Sequence, residues 1–212
     1  MISGLAFFGA FNPPTRAHLD LARYALTETG GEQVIFVPSK AVYIRDDQGK
    51  DFAYTDEQRL AMLRAAAKKR LWMAVTDWEM RQERQPRTYE TLCHLREEGW
   101  HAALLMGSDK LPELEYGWQH VREIAAEFGI VCMTRGKDNC LDIIRGSAFL
   151  QGLGIRVLET PEITRDVSST RVRQLTREGQ AAEKELAELV PEEILEILTR
   201  NGELIPGSVA SE

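Results

Sequence analysis

A short apolar run that ends in a glycine turn and leads straight into a helix constrains this chain more than any other stretch. Ile2–Phe8 reads as a buried strand, Gly9 ends it, Asn12-Pro13-Pro14 forms a turn, and an amphipathic helix starts near Arg16. In α/β proteins that succession makes an anion site, because unpaired backbone N–H groups and the helix dipole converge on one spot. Thr15 and His18 stand three apart, on one face of the helix's first turn. A hydroxyl and an imidazole there are set to meet a phosphate group. Each also has a plainer reading, Thr15 as an N-cap and His18 as a surface histidine.

The same alternation continues. Apolar runs at Val34–Val37, Leu71–Val75, Ala102–Met106, Ile130–Met133 and Ile155–Leu158 read as strands. Helices are expected over Arg16–Thr29, stopped by Gly30-Gly31, and from Thr55, where Gln58 completes a capping box and Leu60, Met62, Leu63 and Ala67 supply the core side. Further helices are expected over Thr88–Gly99, in a weak helix and a stronger one ending at Phe128, over Asn139–Gln151, and within Ser169–Arg200, with Pro191 at a first helical position. Lys68-Lys69-Arg70 reads as cations opposing a helix C-terminus, or less simply as a basic patch. Ser39–Tyr54 reads as a long polar loop, and Asp77–Arg87 as polar and irregular. Strands alternating with helices imply an α/β fold: a Rossmann-like, doubly wound, mostly parallel sheet with helices on both faces and a small C-terminal helical extension. The expected division is a nucleotide-binding core over 1–165, the extension over 166–203 and a tail over 204–212. Ligands in such sheets bind at the carboxyl ends of strands.

Composition narrows the function classes. The 212 residues are 43% hydrophobic and 28% charged, as in a globular protein large enough for one sizeable α/β domain. A formal charge of −7 argues against a nucleic-acid footprint but leaves room for a local phosphate pocket. Cys93, Cys132 and Cys140 are odd in number and make no C-x-x-C pair, which suits reduced thiols, and His94, His101 and His120 have no metal-ligand spacing with them. No protein metal site is therefore expected. The absence of a basic-then-apolar leader or an 18-residue apolar stretch points to a cytoplasmic protein with no membrane partner. Oligomeric state stays open.

A second chemical stretch lies late in the chain, Val167-Ser168-Ser169-Thr170-Arg171-Val172-Arg173. Hydroxyls and backbone donors gather there at a helix N-terminus, and Arg171 adds a charge able to fork onto phosphate oxygens. A capped helix with surface arginines would read the same way. At this point the sequence is identifiable by resemblance. Gly9-x-Phe11-Asn12-Pro13-x-Thr15-x-x-His18 resembles the nucleotidylyltransferase signature, with Ala17 where many members carry glycine and Thr15 where many carry histidine. Asn12-Pro13-Pro14-Thr15 and the Val167–Arg173 run resemble the nicotinate/nicotinamide mononucleotide adenylyltransferases. So do Leu104–Asp109 followed by Trp118, Arg87–Leu92 (departing at Arg87 and Glu90) and Leu189-Val190-Pro191.

That resemblance implies transfer of AMP from ATP to nicotinate mononucleotide, or its amide, with release of pyrophosphate in NAD biosynthesis. It implies that His18 and Thr15 are catalytic. Gly9, Ala10, Phe11, Lys50, Ser169, Thr170 and Arg171 would join them around the ATP phosphates, with Mg²⁺ accompanying ATP. Lys40 and Arg45 rival Lys50. Gly107 and Asp109 would face ribose hydroxyls, while Asn12, Thr88, Tyr89, Trp118 and Arg135 would serve the pyridine mononucleotide. The nucleophile is already an anion, so no catalytic base is required. The alternatives are a phosphopantetheine- or CTP-dependent nucleotidylyltransferase and a catalytically silent nucleotide-binding module.

Overall fold

The computed structural model describes residues 3–46, 54–134, 139–160, 167–178 and 183–199. Its elements in chain order begin β1 (Gly4–Gly9), α1 (Arg16–Thr29), β2 (Gln33–Pro38), α2 (Ala41–Asp46), α3 (Asp56–Lys68), β3 (Met73–Val75) and α4 (Trp78–Arg81). Next come α5 (Thr88–Glu97), β4 (Ala102–Gly107), a single 3₁₀ turn at Ser108–Lys110, α6 (Leu111–Tyr116), α7 (Val121–Glu127) and β5 (Ile130–Met133). The remainder is α8 (Cys140–Arg145), α9 (Ala148–Gln151), β6 (Arg156–Leu158), α10 (Ser169–Glu178), α11 (Glu183–Leu189) and α12 (Glu192–Leu198).

The strands form one six-stranded sheet in the order β3-β2-β1-β4-β5-β6. This is the doubly wound order, whose direction of growth reverses at β1 and β4. The pairings β1–β4, β4–β5 and β5–β6 are parallel, as expected for strands joined by helical crossovers. The apolar runs are continuous rather than alternating because such strands are covered on both faces: Leu5 and Ala6 of β1 and Leu104 and Leu105 of β4 are fully buried.

By its internal packing the chain divides into two interleaved units. The first takes in residues up to Phe8, Leu21–Ile35 and Pro86–Arg165. In it Gly4–Phe7 pair with Ala102–Leu105, and Leu104–Gly107 with Ile130–Met133. Ala22, Ala25 and Leu26 of α1 and Leu92 and Leu95 of α5 complete its core. α1 ends as expected: the Gly30 and Gly31 amides both donate to the Leu26 carbonyl, and Gly30 takes φ +70°. The helix expected over Asn139–Gln151 is two short ones, α8 and α9, because Gly146 closes the first and the Ser147 hydroxyl caps the second.

The second unit comprises Gly9–Asp20, Phe36–Gln85 and the residues from Asp166 onward. α3 opens with the anticipated capping box, Thr55 Oγ1 accepting from the Gln58 amide at 3.2 Å and Gln58 Oε1 from the Thr55 amide at 2.9 Å. Its buried side differs from the expectation. Arg59, Met62, Leu63 and Ala66 are buried, while Leu60 and Ala67 are half-exposed. Arg70 behaves as a helix-end cation, donating to the Ala66 carbonyl at 2.8 Å and to the carboxylate of Glu193 on α12. Four other expectations are corrected. The polar stretch after Ser39 holds a helix, α2, because Ile44 is fully buried and Asp56 Oδ1 accepts from the Ala41 amide at 2.7 Å. Asp77–Arg87 contains the single turn α4, on which Glu79 is buried and bonded to Gln85. Leu71, taken as strand, is 95% exposed, and Pro191 stands one residue before α12 instead of inside it. No described helix is long and apolar enough to cross a membrane.

Candidate functional site

The early motif folds into a tight turn after β1. Gly9 is required by its neighbour, since a Cβ there would lie 3.0–3.3 Å from ring atoms of Phe11. Phe11 is buried and held at φ +43°, a left-handed conformation unusual for a bulky residue. Its ring packs against Phe36 and meets His18 edge-on at a centroid distance of 5.3 Å. Asn12 is buried with its Oδ1 accepting from the Tyr54 amide at 2.9 Å, and the Asn12–Pro13 peptide is cis.

Thr15 precedes the first residue of α1 and is fully buried. Its backbone N–H donates to His18 Nδ1 at 3.1 Å, and its Oγ1 lies 2.8 Å from the same nitrogen. An Nδ1 that accepts from an amide leaves the ring proton on Nε2. The imidazole is therefore fixed by two bonds on one side, with a donor on the other.

The late motif reaches the same turn. Ser168 caps α10, its Oγ accepting from the Arg171 amide at 3.2 Å. Ser169 Oγ donates to the Pro13 carbonyl at 2.8 Å. Arg173, one turn along, donates from Nη1 to the Asn12 carbonyl at 2.8 Å and from Nη2 to Thr170 Oγ1 at 3.2 Å. Burial lowers the Arg173 pKa, as does the neighbouring Arg177 charge, against an opposing pull from Tyr54. Arg171 itself is paired with Glu185 of α11, its Nε and Nη2 donating to Oε1 at 2.8 and 2.6 Å. Of the two arginines in the motif, the one on the turn is Arg173, which the sequence reading did not select.

Arg59 was also missed. Its guanidinium is wholly buried and donates from Nη1 to the Ala10 carbonyl at 2.7 Å, from Nε to the Tyr54 carbonyl at 3.2 Å, and from Nη2 to the Ser39 carbonyl and to Asp56 Oδ1. Burial lowers its pKa and the Asp56 carboxylate opposes that shift. The signal was available: an arginine at a core-facing position one turn into a capped helix has to find buried acceptors. Among the basic residues weighed for the phosphates, Lys40 is occupied by the Met80 and Gln82 carbonyls at 2.9 and 2.6 Å. Arg45 ends α2. Lys50 and Arg135 lie outside the described residues.

The remaining candidates belong to the first unit. Gly107 ends β4, and a Cβ on it would come within 2.5 Å of Asp109 Oδ1. Ser108 is buried and Asp109 exposed. Trp118 is half-buried between α6 and α7, its amide donating to the Glu113 carbonyl at 3.2 Å. Thr88 is the first residue of α5. The next, Tyr89, stacks on His120 at 5.1 Å and donates its hydroxyl to Glu127 Oε1 at 2.9 Å. That hydrogen bond, with help from Cys93, pushes the phenol pKa up to about 12. Arg96 pairs with the same carboxylate at 2.7 Å. No cluster of three or more potential metal ligands occurs among the described residues.

Comparison with known proteins identifies the family and the fold. The cytidylyltransferase-like family matches residues 6–175. A probable nicotinate-nucleotide adenylyltransferase of Carboxydothermus hydrogenoformans is 30% identical over 200 residues, covering 92% of this chain and 94% of the relative. One of the same description from Clostridium acetobutylicum is 28% identical over 200 residues, covering 92% and 95%. Among solved structures, a Plasmodium falciparum nicotinic acid mononucleotide adenylyltransferase complexed with NaAD superposes with a TM-score of 0.72 at 15% identity, covering 94% of this chain and 96% of the other. A second structure of that protein, complexed with APC, gives 0.71. At such identity these two speak for the fold, and they match the Rossmann-like architecture read from the strand order. The chain belongs to the cytidylyltransferase-like family and, within it, to the nicotinate-nucleotide adenylyltransferases.

Proposed function

We propose that this protein transfers the adenylyl group of ATP to nicotinate mononucleotide, forming the dinucleotide and releasing pyrophosphate. One observation carries the reading: an imidazole pinned by Thr15, its proton left on Nε2, sits on a turn to which the first two turns of α10 are hydrogen-bonded. The mononucleotide phosphate is itself the nucleophile. The protein's task is to align two polyanions and to neutralise charge that grows on the α-phosphate and the leaving pyrophosphate.

In this reading His18 Nε2 donates to the α/β-phosphate oxygens, and Thr15 fixes the ring. The backbone of Gly9, Ala10 and Phe11 and the first turn of α10, Ser169, Thr170 and Arg171, serve the triphosphate together with Arg173. These side chains are neutral or cationic donors, a set suited to phosphate oxygens rather than to a cation. Mg²⁺ accordingly belongs to the MgATP substrate, where it offsets phosphate charge. Within the first unit Gly107 and Asp109 serve a ribose and Thr88, Tyr89 and Trp118 the pyridine mononucleotide, and the ATP-consuming reaction takes place in the cytoplasm. The test is pyrophosphate release by the purified protein from ATP with nicotinate mononucleotide, run beside nicotinamide mononucleotide. Faster turnover of the acid is expected, and no release with either substrate would sink the proposal.

A further inference from the structure

We infer that Arg59 is the positioning residue of the catalytic turn: from a helix outside both motifs, it fixes the peptide on which Phe11 and, through it, His18 depend. Arg59 stands on α3, directly after the Thr55–Gln58 capping box, and its side chain is completely buried. Buried guanidinium groups are costly unless each N–H finds an acceptor. Here they find carbonyls from three separate stretches of backbone, Ala10, Ser39 and Tyr54, and one carboxylate, Asp56.

The carbonyls are not scattered. The Ser39 amide donates to the Gly9 carbonyl at 3.1 Å while the Ser39 carbonyl accepts from Arg59, and Arg59 also holds the next carbonyl along, that of Ala10. The Tyr54 carbonyl accepts from Arg59, while the Tyr54 amide donates to the Asn12 side chain. One guanidinium thus ties down the peptides on both sides of Ala10 and, through Tyr54, the residue after Phe11. Because a peptide unit is planar, holding the Ala10 carbonyl sets the direction of the Phe11 amide and restricts the φ of Phe11. That φ is +43°, a conformation a phenylalanine keeps only where its surroundings impose it. The Phe11 ring in turn bears edge-on on His18. Lysine could supply the charge but not the planar fork that reaches acceptors in several directions at once.

This inference rests on the proposed activity for its kinetic consequences, and on the turn alone for its structural one. Arg59→Lys is expected to lower kcat about 10- to 100-fold, the scale of a misplaced catalytic group. KM for nicotinate mononucleotide should stay within about threefold, in protein shown to be folded at the assay temperature by its thermal transition. Asp56→Asn, which keeps Arg59 and its three carbonyls and replaces the half-buried carboxylate that also accepts from the Ala41 amide, should lower kcat by about threefold and serves if Arg59→Lys does not fold. Independently of any substrate, the imidazole ¹⁵N signals of His18, assigned with His18→Ala, should move from the single Nε2–H pattern in whichever variant folds. Unchanged His18 signals, or a kcat equal to the parent's in folded Arg59→Lys, overturn the inference. A parent protein inactive on ATP and nicotinate mononucleotide overturns the proposed function instead and leaves the His18 signals as the deciding result.

Discussion

Thr15→Val isolates the contact that orients His18. Valine is close to threonine in shape, and the site is fully buried, so the change deletes a hydroxyl and little else. The hydroxyl lies 2.8 Å from His18 Nδ1, but the Thr15 amide, 3.1 Å from the same nitrogen, remains. No buried atom is therefore orphaned, and the loss is that of one ordinary hydrogen bond, about 1 kcal/mol. At 1.36 kcal/mol per decade this corresponds to a fall in kcat of about fivefold. His18→Ala, which removes the donor aimed at developing charge, is expected to cost on the order of 10²- to 10³-fold. The assay is steady-state pyrophosphate release at saturating ATP and nicotinate mononucleotide, with thermal midpoints taken in parallel. Equal losses in the two variants would show that the hydroxyl acts on the substrate itself, and an unaltered rate in Thr15→Val would show that it does not orient the ring. Either result refutes the assignment.

Other consequences can be checked as directly. Arg173→Lys should raise KM for ATP about tenfold, whereas Arg171→Lys, changing a half-exposed guanidinium already paired with Glu185, should move it by less than about threefold. Glu193 is pushed up by burial, but its hydrogen bond to Arg70, with its own backbone and the Arg70 and Lys69 charges, outweighs that and holds the carboxyl below 4.5. A depressed folded-state pKa means stability that is present above the ordinary carboxylate value and lost as pH falls through the folded one. Glu193→Gln should accordingly cost about 1–3 kcal/mol in urea unfolding at pH 7, with the penalty shrinking as the pH drops below 4.5. Tyr89 should ionise near pH 12, read as the ultraviolet difference against Tyr89→Phe, and should return toward 10.0 in Glu127→Gln.

The fold was largely legible because most strands are apolar runs, three of them, β1, β2 and β4, closed by glycine or proline, and several helices carry a stop or cap. Gly30-Gly31, the Thr55–Gln58 box and the Gly107 turn are local devices, decided within a few residues. What escaped was decided at a distance. α2 depends on one buried isoleucine in a polar stretch and on a carboxylate fifteen residues later, neither of which has a period to detect. The core face of α3 was misread because only apolar residues were counted towards it, whereas Arg59 is buried there. Its acceptors come from Ala10, Ser39 and Tyr54, and no window around Arg59 contains them all.

The site shows the same boundary more sharply. Thr15 and His18 are three residues apart, so their common face followed from spacing alone, and the structure adds the contact between them. The choice between Arg171 and Arg173 did not. Both follow the same hydroxyl cluster, and both carry a fork. A step of two residues on an α-helix turns the side chain by about 200°, nearly to the opposite face. Which face meets the early turn is fixed by long-range packing: Val172 and Leu175 are buried, Ser169 Oγ reaches Pro13, and Arg173 reaches Asn12. Arg171 is thereby directed to Glu185 on α11. A turn that directs amide groups toward an anion must send some of its carbonyls the other way, and buried carbonyls need donors. In this chain Arg59 and Arg173 answer the carbonyls of Ala10 and Asn12, on either side of the residue with positive φ. Two arginines to which the sequence reading gave no role are therefore tied to the geometry of the loop that the sequence made most conspicuous.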